Sequence, residues 1–429
     1  MKLKTYAMCC VAAWLAGPVL SLAAEPSAVN PSATQALAAY LPAEAVARDA
    51  LLSSPWMQAA RAEKDGWLAR AKVMGAGPHE FTVRSTTQRR QDVANGTRWH
   101  ESMVSVETPL RFWGKRGLDA DLEDKTQAYA ELGYADAMHE GGRELIQLWF
   151  AYLNALAAEQ NASTALDLTT KMQRMTQVQL KHGEVSKLDA ELASAEHERT
   201  QAAVAVAQAQ RISAAAMLQR RFPALALPSA SVLRDAPSLP TLAGGMGGMR
   251  QTYVDKNHEL NLMRLQAQRL RLSADRASRE RLPDPTVGVF SSRDKSGAET
   301  VNGVLLSVPL PGSAKWYHHS AAVADAQAAS DKVALAEQQK SAAFEGLWAA
   351  YQNKRNAADQ LKSAAQRQTM AADKSLKAYS LGEGSLADVL LIARMASDNL
   401  HAAQRMQLEA AELYALIRLD LHEMWDFDE

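Results

Sequence analysis

The segment His182-Gly-Glu-Val-Ser-Lys-Leu-Asp189 returns 199 positions later as Leu381-Gly-Glu-Gly-Ser-Leu-Ala-Asp388. Each copy has a glycine, then a serine, then an aspartate three residues on. A glycine just past a helix supplies the backbone angles that end it. A serine caps the next helix by accepting a backbone N–H. An acid in the first turn suits the helix dipole. Each copy therefore reads as the turn of a helical hairpin. Two more landmarks repeat in the same order. Leu145, Trp149 and Tyr152 match Phe344, Trp348 and Tyr351, again at 199, and Val104 to Leu110 (VSVETPL) matches Val304 to Leu310 (VLLSVPL) at 200. Three ordered matches point to two copies of one unit.

Working outward from the turns, residues 115–180 and 316–380 contain no proline and read as single helices. At ~1.5 Å per residue each reaches roughly 100 Å. Leu145, Trp149, Tyr152 and Leu156 recur at 4-3-4 spacing, the seam of helices packed side by side. Returning helices are expected over 187–221 and 386–421. Ahead of each long helix stand a helical segment (53–75 and 250–281) and a strand pair (79–90 with 98–110, and 285–292 with 300–310). Asn95-Gly96 and Ser296-Gly297 mark the strand turns. The expected organisation is a first repeat over 25–221, with strand pair 79–110 and hairpin 115–221. A Pro/Gly-rich linker follows over 222–248. The second repeat covers 249–421, with strand pair 285–310 and hairpin 316–421, and a tail covers 422–429. Residues 25–42, rich in Pro, Ser and Ala, read as an extended arm.

Residues 1–24 have a basic start at Lys2 and Lys4, an apolar stretch, and small residues at Ser21-Leu22-Ala23. This reads as a secretory signal peptide. It holds Cys9 and Cys10, the only cysteines, so the mature chain is expected to lack thiol chemistry. The net charge of −1 gives no electrostatic case for nucleic acid. After residue 24 no apolar run is long enough for a membrane helix. The helices are rich in alanine and describe a thin wall, wet on both sides. On the strands, Val304, Leu306, Val308 and Leu310 share one face, as do Val104, Val106, Thr108 and Leu110, while Glu101, Ser105, Glu107, Gly303 and Ser307 fall on the other. That alternation fits a membrane barrel or a half-buried soluble hairpin. Four strands cannot close a barrel, whereas three chains would supply twelve.

These features together resemble the TolC-like outer-membrane efflux factors. The carriers are the duplication, the helix–strand–strand–long-helix order, and the turn motifs at 180–189 and 379–390. Arg281-Leu-Pro-Asp-Pro-Thr-Val-Gly288 and Ser307-Val-Pro-Leu-Pro-Gly312 are similar to the cobalt–zinc–cadmium branch. The resemblance implies a mainly α protein with a minor β part. Long coiled-coil hairpins would form a periplasmic α-barrel, and each protomer would give four strands to a twelve-stranded barrel in outer-membrane lipid. It implies a homotrimeric, passive export duct for heavy-metal cations, working with a periplasmic adaptor and an inner-membrane pump. The alternatives are the same channel serving organic compounds, or a periplasmic adaptor.

The turns are the candidate gate: Gly183, Gly382 and Gly384 for tight backbone, and Asp189 and Asp388 for charge. Both aspartates also read simply as helix-capping residues. By resemblance, three copies of Asp388 would form a cation-selective ring, and Tyr379 would hydrogen-bond to Asp189 in the closed state. The family often carries a basic residue where Gly384 stands. His318-His319 are poor joint chelators on a helix, since adjacent side chains diverge. With Trp316 and Tyr317 they read better as an interfacial belt. No metal site or cofactor is expected. No nucleophile constellation, carboxylate pair or phosphate loop points to an enzyme.

Overall fold

The computed structural model describes residues 37, 40–77, 80–233, 239–242, 245–425 and 427. The signal peptide and most of the N-terminal arm lie outside them. The arm's described end is not extended: Leu37, Tyr40 and Leu41 are buried. The chain then forms α1 (Glu44–Leu52) and α2 (Pro55–Ala76), broken where Ser54 accepts the Met57 N–H ahead of Pro55. Strands β1 (Thr82–Gln91) and β2 (Arg98–Pro109) follow, then α3 (Lys115–Lys181) and α4 (Lys187–Arg221). The second half contains α5 (Met246–Lys256), α6 (His258–Arg279), β3 (Thr286–Asp294), β4 (Glu299–Ser307), α7 (Ser313–Ser380) and α8 (Leu386–Asp420). The single helix expected over 250–281 is interrupted at Asn257, whose side chain leaves the preceding turn and caps α6 through the Leu260 N–H.

Among the buried positions of the hairpins are rows that repeat every seven residues. They are Ala193, Thr200 and Ala207 on α4, Phe344, Tyr351, Ala358 and Ala365 on α7, and Val389, Ala396, Ala403 and Ala410 on α8. A strict period of seven imposes a left-handed supercoil. Alanine at so many of these positions lets the helices approach closely. The large core lies at mid-height, where Leu145, Trp149, Phe150 and Leu153 of α3 meet Tyr351 of α7 and Tyr414 and Ile417 of α8. Trp149 donates its indole N–H to the Tyr40 carbonyl at 2.6 Å, which ties the N-terminal segment into this core.

The segment between the two halves packs onto the helices. Phe222, Leu225, Leu239 and Leu242 are buried. The carbonyls of Pro240 and Leu239 accept from the Tyr351 hydroxyl (2.5 Å) and Arg355 (2.9 Å) of α7. Proline removes a backbone donor but keeps its acceptor, so a proline-rich stretch can still be fastened by side-chain donors. Its interspersed leucines supply the apolar contact.

The strands form one antiparallel sheet in the order β1-β2-β3-β4. The β2–β3 pairing joins the two halves, from Ser102↔Arg293 to Pro109↔Thr286. The register aligns Val83, Val106, Val289 and Val304 in one row across all four strands, and all four are exposed. On the opposite face Glu101 and Ser105 are buried. Glu101 accepts from Gln88 at 2.9 Å and pairs with Arg90 at 3.3 Å. Phe290 covers Gly303 there and leaves no room for a Cβ on that glycine. Among the described residues, both outer strands leave an edge unpaired.

Candidate functional site at the hairpin tips

The two tips are built alike. In the first, the Glu184 N–H bonds the Gln179 carbonyl (2.9 Å) and the Gly183 N–H bonds Leu180 (3.1 Å). In the second, Glu383 bonds Ala378 (2.9 Å) and Gly382 bonds Tyr379 (3.0 Å). This doubled pattern closes a helix end when the residue past the cap is left-handed. Gly183 and Gly382 hold φ of 76° and 86°. Gly384 is also left-handed at 91°, at the position where the first tip carries Val185.

Both aspartates close the returning helices. Ser186 accepts the Asp189 N–H at 3.1 Å and donates its hydroxyl to the Asp189 carboxylate at 2.7 Å, and that carboxylate also accepts the Ser186 N–H at 3.2 Å. Ser385 and Asp388 repeat the first two bonds at 3.1 and 2.7 Å. Their capping role is therefore realised in the fold. Asp388 is exposed and Asp189 half-buried.

Tyr379 packs against a small apolar cluster of Met172, Ala193, Leu386 and Val389 that binds the two tips together. Its hydroxyl lies 3.4 Å from the Gln179 side-chain oxygen. Asp189 is turned back into its own cap by Ser186. Its charge still reaches the ring: the Tyr379 hydroxyl is raised above its usual pKa first by burial and then by Asp189. The tip thus gathers Tyr379, Gln179 and Asp189 on one side and leaves Asp388 facing solvent.

No family model matches the sequence, and no curated protein is similar to it at a significant level. Solved structures do match. The chain superposes on CusC, described through its folding and transmembrane channel formation, with a TM-score of 0.74 and 14% identity over 90% of this chain and 95% of that one. VceC, an outer membrane protein of Vibrio cholerae, gives 0.74 and 15% over 88% and 95%. The CmeC outer membrane channel of Campylobacter jejuni gives 0.69 and 14% over 89% and 85%. The chain has the fold of the TolC-like channels. The long helices with a minor four-stranded part match the sequence expectation for fold class.

Residues outside the motifs also shape the junction between sheet and helices. Lys115, at the start of α3, is buried; it donates to the Leu282 carbonyl and pairs with Asp284, both at 2.8 Å. Asp119, one turn on, pairs with Arg111 (2.9 Å) and Arg276 (2.6 Å). These residues were not singled out from the sequence. Their signal was spacing: Lys115, Asp119, Leu122, Thr126 and Ala130 lie on one buried stripe of α3, so two charged groups occupy seam positions. Trp316 and Tyr317 are exposed beside the sheet, with Arg281 stacked 4.5 Å from Trp316. Among the described residues no helix is long and apolar enough to cross a membrane, and no group of three ligating side chains is arranged to hold a metal ion.

Proposed function

We propose that the chain is one protomer of a homotrimeric outer-membrane channel that extends into the periplasm. It would act as the passive export duct of a tripartite efflux system. The observation that carries this reading is the sheet. It has four strands, two unpaired edges, and a row of four exposed valines opposite a polar, ion-paired face. In lipid every backbone group must be paired, so strands span only as closed barrels. Three such sheets joined edge to edge would give twelve strands with the valines toward lipid. A periplasmic adaptor would dock at the hairpin tips and bring the inner-membrane pump to them.

The tips are the proposed gate. Asp388 would ring the narrow end three times and favour cations, while Tyr379, held by the small apolar cluster, would brace the closed arrangement. Heavy-metal cations are the proposed cargo, supported by the 281–288 and 307–312 motifs; organic compounds are the competing class. An adaptor is disfavoured, because it would need one hairpin within a β-rich domain and this chain has two hairpins and one small sheet.

Native mass spectrometry of the detergent-purified protein should give a trimer, and planar bilayers should show conductance. A monomer that stays in aqueous buffer without detergent would overturn the reading. Asp388→Ala should lower cation preference in the same bilayers; unchanged selectivity would remove the charged ring. Deletion strains tested against zinc, cobalt, cadmium and a drug panel would separate the two cargo classes.

A further inference from the structure

The valine-bearing face of the sheet changes character along its length. Directly paired residues share a face, and side chains alternate along a strand. The row of Val83, Val106, Val289 and Val304 therefore fixes which other residues lie on that face. Two residues closer to the strand turns the face is mixed, with Val104 between Ser85 and Ser291. Beyond that come Arg293 of β3, Arg89 of β1 and Arg98 of β2, with His100 directly opposite Arg89. All three arginines are exposed. The four acids of the strands, Glu101, Glu107, Asp294 and Glu299, all fall on the other face. Arg90 on that other face pairs with Glu101 at 3.3 Å, and Lys295 in the turn pairs with Glu299 at 2.6 Å. Among the described residues, Arg89, Arg98 and Arg293 join no ion pair.

We propose that Arg89, Arg98 and Arg293 form a cationic collar that binds the phosphate groups of anionic lipid headgroups in the outward leaflet of the membrane. The proposal rests on the reading of the sheet as one third of a membrane barrel. Pro109 and Thr286 end the strands on the helix side, so the arginines stand at the end away from the helices. A strand rises about 3.3 Å per residue, and a barrel strand tilts by about 35–45°. Arg293 lies four positions along β3 from Val289, and Arg89 six along β1 from Val83. Their backbones then stand about 10 and 15 Å above the valine row, measured along the barrel axis. Half of an apolar band ~25 Å tall is about 12 Å. The collar therefore meets the boundary between acyl chains and headgroups. An arginine there lays its stem along apolar surface and holds its charge in the polar layer.

The chemistry of the patch favours phosphate over a neutral polar headgroup. A guanidinium presents parallel N–H donors that match two oxygens of one phosphate. Arg98 is paired with Gln91 and so lies diagonal to Arg89, about 7–8 Å away. One headgroup with more than one phosphate can engage both. Arg293 adds a third cation from β3, directly opposite the exposed Ser102, whose hydroxyl can donate to the same headgroup. Three like charges on one face repel one another unless a counter-charge is near. The chain's own acids are turned to the opposite face, so the counter-charge comes from outside. A headgroup that carries one phosphate and one ammonium has no net charge and offsets less of that repulsion.

The test titrates the detergent-purified protein with lipids and counts bound lipid by native mass spectrometry. The probes are lipid A with two phosphates, lipid A with one, and phosphatidylethanolamine. The wild-type trimer should hold the diphosphorylated lipid at least about tenfold more tightly than phosphatidylethanolamine, with the singly phosphorylated form between them. The combined variant Arg89→Gln, Arg98→Gln, Arg293→Gln should lose that preference and remain a conducting trimer. Arg84→Gln removes an exposed arginine from the opposite face and should bind lipid as the wild type does. A conducting wild-type trimer without the preference would overturn the collar and leave the channel reading standing, whereas a protein that forms no trimer would overturn both. A preference that survives in the combined variant would also overturn the collar. So would displacement of the lipid by an equal concentration of inorganic phosphate, which would mark a site for a free anion. Should the combined variant fail to assemble, Arg98→Gln and Arg293→Gln carry the test singly; each should weaken retention of the diphosphorylated lipid, and wild-type retention in both would overturn the proposal.

Discussion

Gly382 and Gly183 stop helices of 68 and 67 residues where the sequence otherwise offers no proline or break. A left-handed φ disfavours any Cβ by about 1 kcal/mol. Gly382→Ala should therefore lower stability by roughly that amount in a thermal melt. Gly346 lies inside α7 with open space around it, so Gly346→Ala should raise stability by up to about 1 kcal/mol. A similar loss from both substitutions would contradict the turn argument. Glu412 on α8 makes a separate residue-scale prediction. Burial pushes its carboxyl up to about 7, above the ordinary value of about 4.3. The folded chain then binds the extra proton, so this group's contribution falls as pH rises from about 4.5 through 7. Glu412→Gln should flatten the melting temperature between pH 5 and 7.5 and raise it at pH 8. A variant that keeps the wild-type slope would locate the effect elsewhere.

Single elements were readable to different degrees, for physical reasons. The return helices expected over 187–221 and 386–421 run Lys187–Arg221 and Leu386–Asp420, because serine caps and glycine stops act within one turn. Asn257 was missed as a break because its cap works through one side-chain bond, with no proline or glycine nearby. The tip motifs marked Gly183, Gly382 and the two caps, while the placing of Tyr379 beside Gln179 depends on how the two hairpins pack, which no local pattern encodes. The Asp119 network shows the same limit and allows a test. Arg111 and Asp119 have side-chain exposures of only 7% and 10%. Asp119→Ala would leave Arg111 and Arg276 facing each other without their carboxylate, a change that costs about 3–5 kcal/mol when a buried pair is broken. Chemical denaturation should show it. Replacing exposed Glu131, which pairs with Lys64 on the surface, should change stability by less than about 1 kcal/mol.

At the scale of the whole molecule, the sheet argues for association: its two outer edges pair with no strand among the described residues, and its row of valines is exposed. The valine row separates the ways of covering it. Were the sheet a soluble hairpin pair, a charge at Val289 would be harmless, because that residue is already exposed. In a lipid-facing barrel, a lysine near the midplane costs about 2–4 kcal/mol per chain, and a trimer would bear it three times. Val289→Lys should therefore reduce the membrane-assembled, heat-resistant trimer severely, while circular dichroism of the helical part stays close to wild type. Arg90→Lys on the polar, Glu101-paired face should leave assembly intact. Equal assembly of the two variants would mean that the valines do not face lipid, and the twelve-stranded closure would fall with them.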